Sequence, residues 1–140
     1  MSISATQSSA SQSTGAAAVL VLGRLLISAM YIMAGFSKLT AISGTAQWFG
    51  SIGLPAPTLV AIGVGLVELV GGLAILIGFQ TRIAAVVLAL FTVAATLIAH
   101  TNFADMSQML FFQKNLAITG GFLILAVFGP GALSIDARRG

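Results

Sequence analysis

The chain has 140 residues, 58% of them hydrophobic and only 6% charged, with a formal net charge of +3. A soluble domain carries about 25% charge, so an ordinary water-soluble fold is excluded; what remains is an integral membrane protein with room for several spans of about 20 residues. Without cysteine the chain cannot run thiol–disulfide chemistry, hold an iron–sulfur cluster or build a cysteine zinc site, and its one histidine cannot supply two imidazoles to a haem or metal.

Residues 1–15 are rich in Ser, Thr, Gln and Ala and carry no charge, which reads as a disordered N-terminal tail. They do not read as a signal peptide, because no basic segment precedes the apolar stretch and Arg24 interrupts it early. Four apolar stretches follow, at about 16–39, 58–78, 83–100 and 108–128, each near the length of a spanning helix. The spacing predicts an all-α transmembrane four-helix bundle over residues 16–136, with a short C-terminal tail at 137–140. Between the first two spans, Trp48 and the string Gly53-Leu54-Pro55-Ala56-Pro57 predict a short interfacial or re-entrant segment around residues 47–52. Phe79-Gln80-Thr81-Arg82 reads as a tight hairpin, and Gly129-Pro130-Gly131 as the stop of the last span.

The six Lys and Arg are scattered. They read as orientation signals and contacts with anionic lipid, not as a nucleic-acid surface. Arg82, Arg138 and Arg139 fall on the side of the N-terminus, and Lys38 and Lys114 on the other. The positive-inside bias therefore predicts both termini in the cytoplasm.

Ionisable groups inside a span cost roughly 2.5–3.5 kcal/mol at the centre and turn toward the bundle interior. Here they fall on helical stripes. Arg24, Ser28, Tyr31, Gly35 and Lys38 share one face of the first span, and Ala61, Gly65, Glu68 and Gly72 one face of the second. Ala85, Ala89, Thr92, Thr96 and His100 form the third stripe, and Asn115, Thr119 and Phe122 the fourth, with Lys114 beside Asn115. Counting about 1.5 Å per residue from the ends of the spans, Arg24 lies about 12 Å deep and Glu68 about 15 Å. Thr92 and Thr119 fall near 14 Å, and Tyr31, Thr96 and Asn115 near 20 Å. This predicts an inner layer holding an Arg24–Glu68 ion pair, an outer layer above it, and Lys38, His100, Asp105 and Lys114 beyond.

Two readings stand for each polar group. Arg24 and Glu68 either fix helix register or handle protons or ligand. His100 is either an interfacial side chain or a ligand contact. Lys114 either snorkels to the headgroups or donates to a quinone carbonyl or an anion.

Several strings together resemble the DoxX family of small four-span bacterial and archaeal membrane proteins, from about residue 22 to residue 136. Arg24 with Gly35-Phe36-Ser37-Lys38 comes first, then Gly53-Leu54-Pro55, Glu68-Leu69-Val70-Gly71-Gly72, Gly78 and Thr81-Arg82. Lys114-Asn115-Leu116-Ala117-Ile118-Thr119-Gly120-Gly121, Gly129-Pro130-Gly131 and Ser134-Ile135-Asp136 complete the series. The residues at the family's recurrent polar positions are Arg24, Lys38, Glu68, Arg82, His100, Lys114 and Asn115. The resemblance implies a bacterial cytoplasmic (inner) membrane protein. It also implies a link to membrane redox complexes, since the family takes its name from a subunit of a thiosulfate:quinone oxidoreductase.

The functional expectation is a quinone-associated accessory subunit of a membrane redox system, an oxidoreductase subunit without redox centres of its own. It would have no covalent cofactor and no metal, and quinone as the ligand. Tyr31, His100, Lys114 and Asn115 would shape an outward-facing pocket, apolar along Phe111, Phe112 and Phe122, with Arg24 and Glu68 closing it beneath. Its partners would be the bilayer and a redox protein, with a homodimer left open by the Gly-rich helix faces. Two other classes compete. One is a small proton-coupled transporter built on Glu68; the other is a non-catalytic scaffold or assembly factor whose polar groups only set packing.

Overall fold

A computed structural model describes residues 13–139. The tail expected over residues 1–15 lies, for residues 1–12, outside the described residues. Helix α1 spans Thr14–Thr40 and opens on Ser13, whose hydroxyl accepts from the Ala16 N–H at 3.1 Å. A short helix α2, Ile42–Ser51, follows. Helix α3, Pro57–Ile77, starts with proline in its first turn, where no backbone donor is lost. It stops at Gly78 in the left-handed conformation (φ 71°), which frees the chain to turn back within two residues. Helices α4, Thr81–Ala99, and α5, Met106–Phe128, form the second antiparallel pair, and α6, Ile135–Arg139, closes the described chain.

Four of these helices are long and apolar enough to cross a membrane, and no strand occurs among the described residues. Large apolar side chains such as Val19, Met33, Leu59, Leu90, Leu97 and Ile124 face outward. That arrangement suits lipid as the solvent, with every spanning segment meeting its own backbone hydrogen bonds. The expected all-α transmembrane four-helix bundle is the observed fold.

Alternation of the spans puts the start of α1, the α3–α4 turn and α6 at one end of the bundle, here called the terminal end. Helix α2 and the α4–α5 loop lie at the far end. Around the axis α1 packs on α3, α3 on α4, and α4 on α5. The α1–α3 seam is the tightest. A Cβ placed at Gly35 would lie 2.5 Å from Leu69 N and 2.7 Å from Gly65 O, and one at Gly72 would lie 3.0 Å from Ile32 N. Only glycine allows backbones to approach this closely. The main core is Tyr31, Ile75, Ala85, Leu88, Ala89, Phe122 and Leu125. At the far end, Ala46 and Phe49 of α2 pack on Ala61 of α3, while Trp48 turns outward to the interface, where indoles settle.

Candidate functional site

The polar stripes meet inside the bundle in a different register from the one expected. Glu68 pairs with Lys38, not with Arg24: Lys38 Nζ lies 2.9 Å from Oε2 and 3.2 Å from Oε1. Side-chain direction and helix register explain this correction. Gly35 sits level with Gly65 and Leu69, so Glu68 lies near the height of Gly35. The stretch from Arg24 to Gly35 spans about 16 Å, which leaves Arg24 too far toward the terminal end. Helical side chains lean toward their own N-terminus. In antiparallel α1 and α3, Lys38 therefore leans down and Glu68 leans up, and the two converge. Arg24 leans away from both.

Arg24 instead enters a knot at the terminal end. Its Nη2 donates to Leu133 O at 2.5 Å, and its Nη1 occupies the space a Cβ at Gly78 would need. Asp136 accepts from the Gln80 N–H at 2.7 Å and the Thr81 N–H at 2.8 Å, while its own N–H donates to Gly78 O at 2.8 Å. Gln80 is the N-cap residue of α4, and its side chain makes no capping bond. Asp136 thus caps that helix from the other end of the chain. Burial pushes the Asp136 carboxyl up, but the donors at Thr81 and Gln80 and the charge of Arg139 outweigh it, holding the carboxyl below the usual aspartate range.

The four candidate ligand contacts divide into two pairs. Tyr31 and Asn115 point inward to α4: the Tyr31 hydroxyl shares a 2.5 Å hydrogen bond with Thr92 Oγ1, and Asn115 Nδ2 donates to Thr96 Oγ1 at 2.9 Å. Thr92 and Thr96 each donate back to their own helix at 2.6 Å, which anchors the network to α4. Thr92, expected in a layer with Arg24, meets Tyr31 instead.

Lys114 and His100 form the second pair, joined by Phe111. Lys114 Nζ lies 4.7 Å from the centre of the Phe111 ring, and the His100 ring stacks on the same side chain at 5.1 Å. Met30 Sδ approaches the ammonium at 3.6 Å. No carboxylate lies within ion-pair distance of Lys114 among the described residues. His100 Nδ1 is buried with no hydrogen-bond partner among them. Burial, then the Lys114 charge, hold the His100 imidazole below the ordinary histidine range.

The expected apolar wall is split. Phe122 packs edge-on against Tyr31 in the core, Phe112 meets Phe103 in the α4–α5 loop, and only Phe111 accompanies Lys114. Arg24 does not close this site, since it belongs to the opposite end. Among the described residues no three of His, Cys, Asp and Glu gather as a metal cluster would need. Sequence reasoning gave no role to Met30 or to the Asp136 cap, and it placed Lys38 on the right face without pairing it with Glu68. Aligning the small-residue faces of α1 and α3 on each other, rather than counting from the ends of the spans, would have found Lys38.

Four apolar spans around a semi-polar interior define a small multi-pass integral membrane protein. A family model described as DoxX matches residues 19–101, and the chain belongs to the DoxX family. It is 46% identical over 116 residues to inner membrane protein YqjF of Escherichia coli (strain K12), across 83% of this chain and 88% of that protein. Inner membrane protein YphA of the same organism is 37% identical over 126 residues, across 86% of this chain and 89% of that one. A Bacillus subtilis (strain 168) protein named "Putative oxidoreductase CatD" is 33% identical over 112 residues, across 75% of this chain and 82% of that protein. No solved structure matches the chain.

Proposed function

We propose that the protein is a quinone-associated accessory subunit of a membrane redox system, with its ligand site at the Lys114–Phe111–His100 cluster. The observation that carries this reading is an ammonium without a carboxylate partner and an imidazole with a buried free nitrogen on one aromatic ring. A quinone ring offers that ring a stacking surface, and its carbonyl oxygens accept from the donors beside it. The buried free Nδ1 is the atom whose desolvation such an acceptor would relieve. A bound quinone would supply the electron-pair and proton chemistry that this cysteine-free chain lacks. The chain's own residues hold and orient: Lys114 donates, His100 presents its unpaired Nδ1, and Tyr31 and Asn115 brace α1 and α5 on α4. Electrons would come from a partner protein, and the name of the CatD relative adds weight to a redox setting. On this reading Arg82, Arg138 and Arg139 face the cytoplasm with both termini, and the site opens to the outer leaflet.

The test is extraction of the detergent-purified protein and identification of its bound small molecules by mass spectrometry, with Lys114→Ala alongside. Quinone near one per chain, reduced about ten-fold or more in the variant, is the expected result; one lost hydrogen bond to a charged group is worth about 1.5–3 kcal/mol. Quinone retained equally by both proteins would overturn the site.

A further inference from the structure

The α1–α5 seam is the loosest in the bundle, and it holds an apolar cleft of about 300 Å³. Ile27 and Gly23 line it from α1 and Gly121 and Phe128 from α5, and Gly129 lines its lower end. The cleft reaches the size at which small-ligand sites begin. Arg24 also lines it. That side chain is 3% exposed, yet its Nε and Nη1 have no hydrogen-bond partner among the described residues. A buried guanidinium with two unpaired donor atoms is costly and calls for an acceptor.

A second cleft, about 500 Å³ and more polar, continues from the same strap. Pro130 and Gly131 line it directly after Gly129, together with Arg82 and Asp136. Arg82 is exposed, and its Nη2 and Nε stand 3.2 and 3.3 Å from where a Cβ at Gly129 would be, at the junction of the two clefts. An apolar cleft thus adjoins a polar recess at the terminal end, with one arginine in each, and the Asp136 carboxylate in the recess is already held by the Gln80 and Thr81 N–H groups. This is the shape and charge of an amphiphile with a hydrocarbon tail and an anionic head.

We propose that this composite cleft is a binding site for an anionic phospholipid of the surrounding bilayer. One acyl chain lies between α1 and α5, and the phosphate is held by Arg82, with the buried Arg24 charge beneath it. Guanidinium is the side chain best matched to phosphate oxygens. The Arg24 height, level with the α3–α4 turn, is that of a headgroup and not of the bilayer centre. The site lies at the opposite end from the Lys114 cluster and stands or falls independently of it.

The experiment exchanges the purified full chain into an equal mixture of phosphatidylglycerol and phosphatidylcholine with identical acyl chains, then counts retained lipid by native mass spectrometry. Phosphatidylglycerol should remain at about one per chain and exceed phosphatidylcholine by about five-fold or more, as expected for a basic side chain beside an anionic lipid. Arg82→Gln should abolish that preference. Gly23→Leu should reduce retention of both lipids, because a Cβ there meets nothing within 4 Å and the added side chain fills the cleft without a backbone clash. Helical circular dichroism confirms that both variants fold. Arg138→Gln with Arg139→Gln should leave the preference in place, which separates a built site from general attraction to a basic end. Equal retention of the two lipids, an unchanged preference in Arg82→Gln, or a preference lost only with Arg138 and Arg139 would overturn the proposal. So would a fatty acid or a quinone found in the cleft instead of phospholipid. Loss of quinone in Lys114→Ala with phosphatidylglycerol retained would confirm that the two sites are separate.

Discussion

Asp136 gathers three backbone groups onto one residue: the N–H groups of Gln80 and Thr81 and the carbonyl of Gly78. Removing the carboxylate in Asp136→Ala leaves the α4 N-terminus uncapped. A loss of about 1 kcal/mol is expected at neutral pH, the size of a lost N-cap. The folded carboxyl sits below its usual range, so its contribution is present above the unfolded aspartate value and is lost as pH falls through the folded one. Thermal unfolding in detergent, followed by circular dichroism down to about pH 3, should show wild type and variant converging in acid. A gap that persists there would mean that the charge is not the source.

Lys38 and Glu68 make a second residue-scale prediction. Lys38→Met leaves a carboxylate in the membrane interior without its cation. A buried pair broken this way costs roughly 3–5 kcal/mol, and the low end is expected because Lys38 is 23% exposed and partly screened. A double-mutant cycle between Lys38→Met and Glu68→Gln should show strong coupling. The cycle between Arg24→Met and Glu68→Gln should be additive to within about 0.5 kcal/mol. Coupling in the second cycle but not in the first would reverse the pairing described above.

At the scale of the helix, glycine positions divide by what faces them. A Cβ at Gly35 would press on the backbone of α3, whereas one at Gly63 meets nothing within 4 Å. Gly35→Ala should therefore force α1 from α3 at a cost of about 1–3 kcal/mol. Gly63→Ala, on the lipid face of α3, should be neutral or stabilise by up to about 1 kcal/mol through helix propensity. Denaturant titration of both variants decides this, and equal effects would contradict the seam. The same seam shows what could be read beforehand. Ser28, Tyr31 and Gly35 on α1, and Ala61, Gly65, Glu68 and Gly72 on α3, are the buried faces, as a 3.6-residue period requires. Periodicity tells which face turns inward but says nothing of how far one helix slides along its neighbour. That slide is set by the glycine contacts between α1 and α3. It moved Arg24 about three turns away from Glu68 and brought Lys38 down to it. The Lys114 cluster was half legible for a related reason: Lys114 and His100 stand near the same end of their spans, but the choice of Phe111 over Phe112 and Phe122 depends on the α4–α5 packing.

For the whole molecule, charge is unevenly shared between the two ends. Arg82, Arg138 and Arg139 stand at the terminal end, and Lys38 and Lys114 toward the far end. The chain has no cysteine, so single introduced cysteines report their own position without background. Gln47→Cys and Asn102→Cys at the far end should react with a membrane-impermeant maleimide added to intact cells. Arg138→Cys should react only after the membrane is opened. The opposite pattern would invert the proposed orientation and move the Lys114 site to the cytoplasmic leaflet.

The clasp at Asp136 also sets an order of events during synthesis. The residue that caps α4 lies 55 positions after the helix start it serves. At roughly 5–20 residues per second, the ribosome needs about 3–11 s to deliver it. For that interval the α3–α4 turn waits with open N–H groups while α4 and α5 are still being made. The residue that locks this turn emerges only after α5 has been made, so the α3–α4 turn is fixed long after it is first formed.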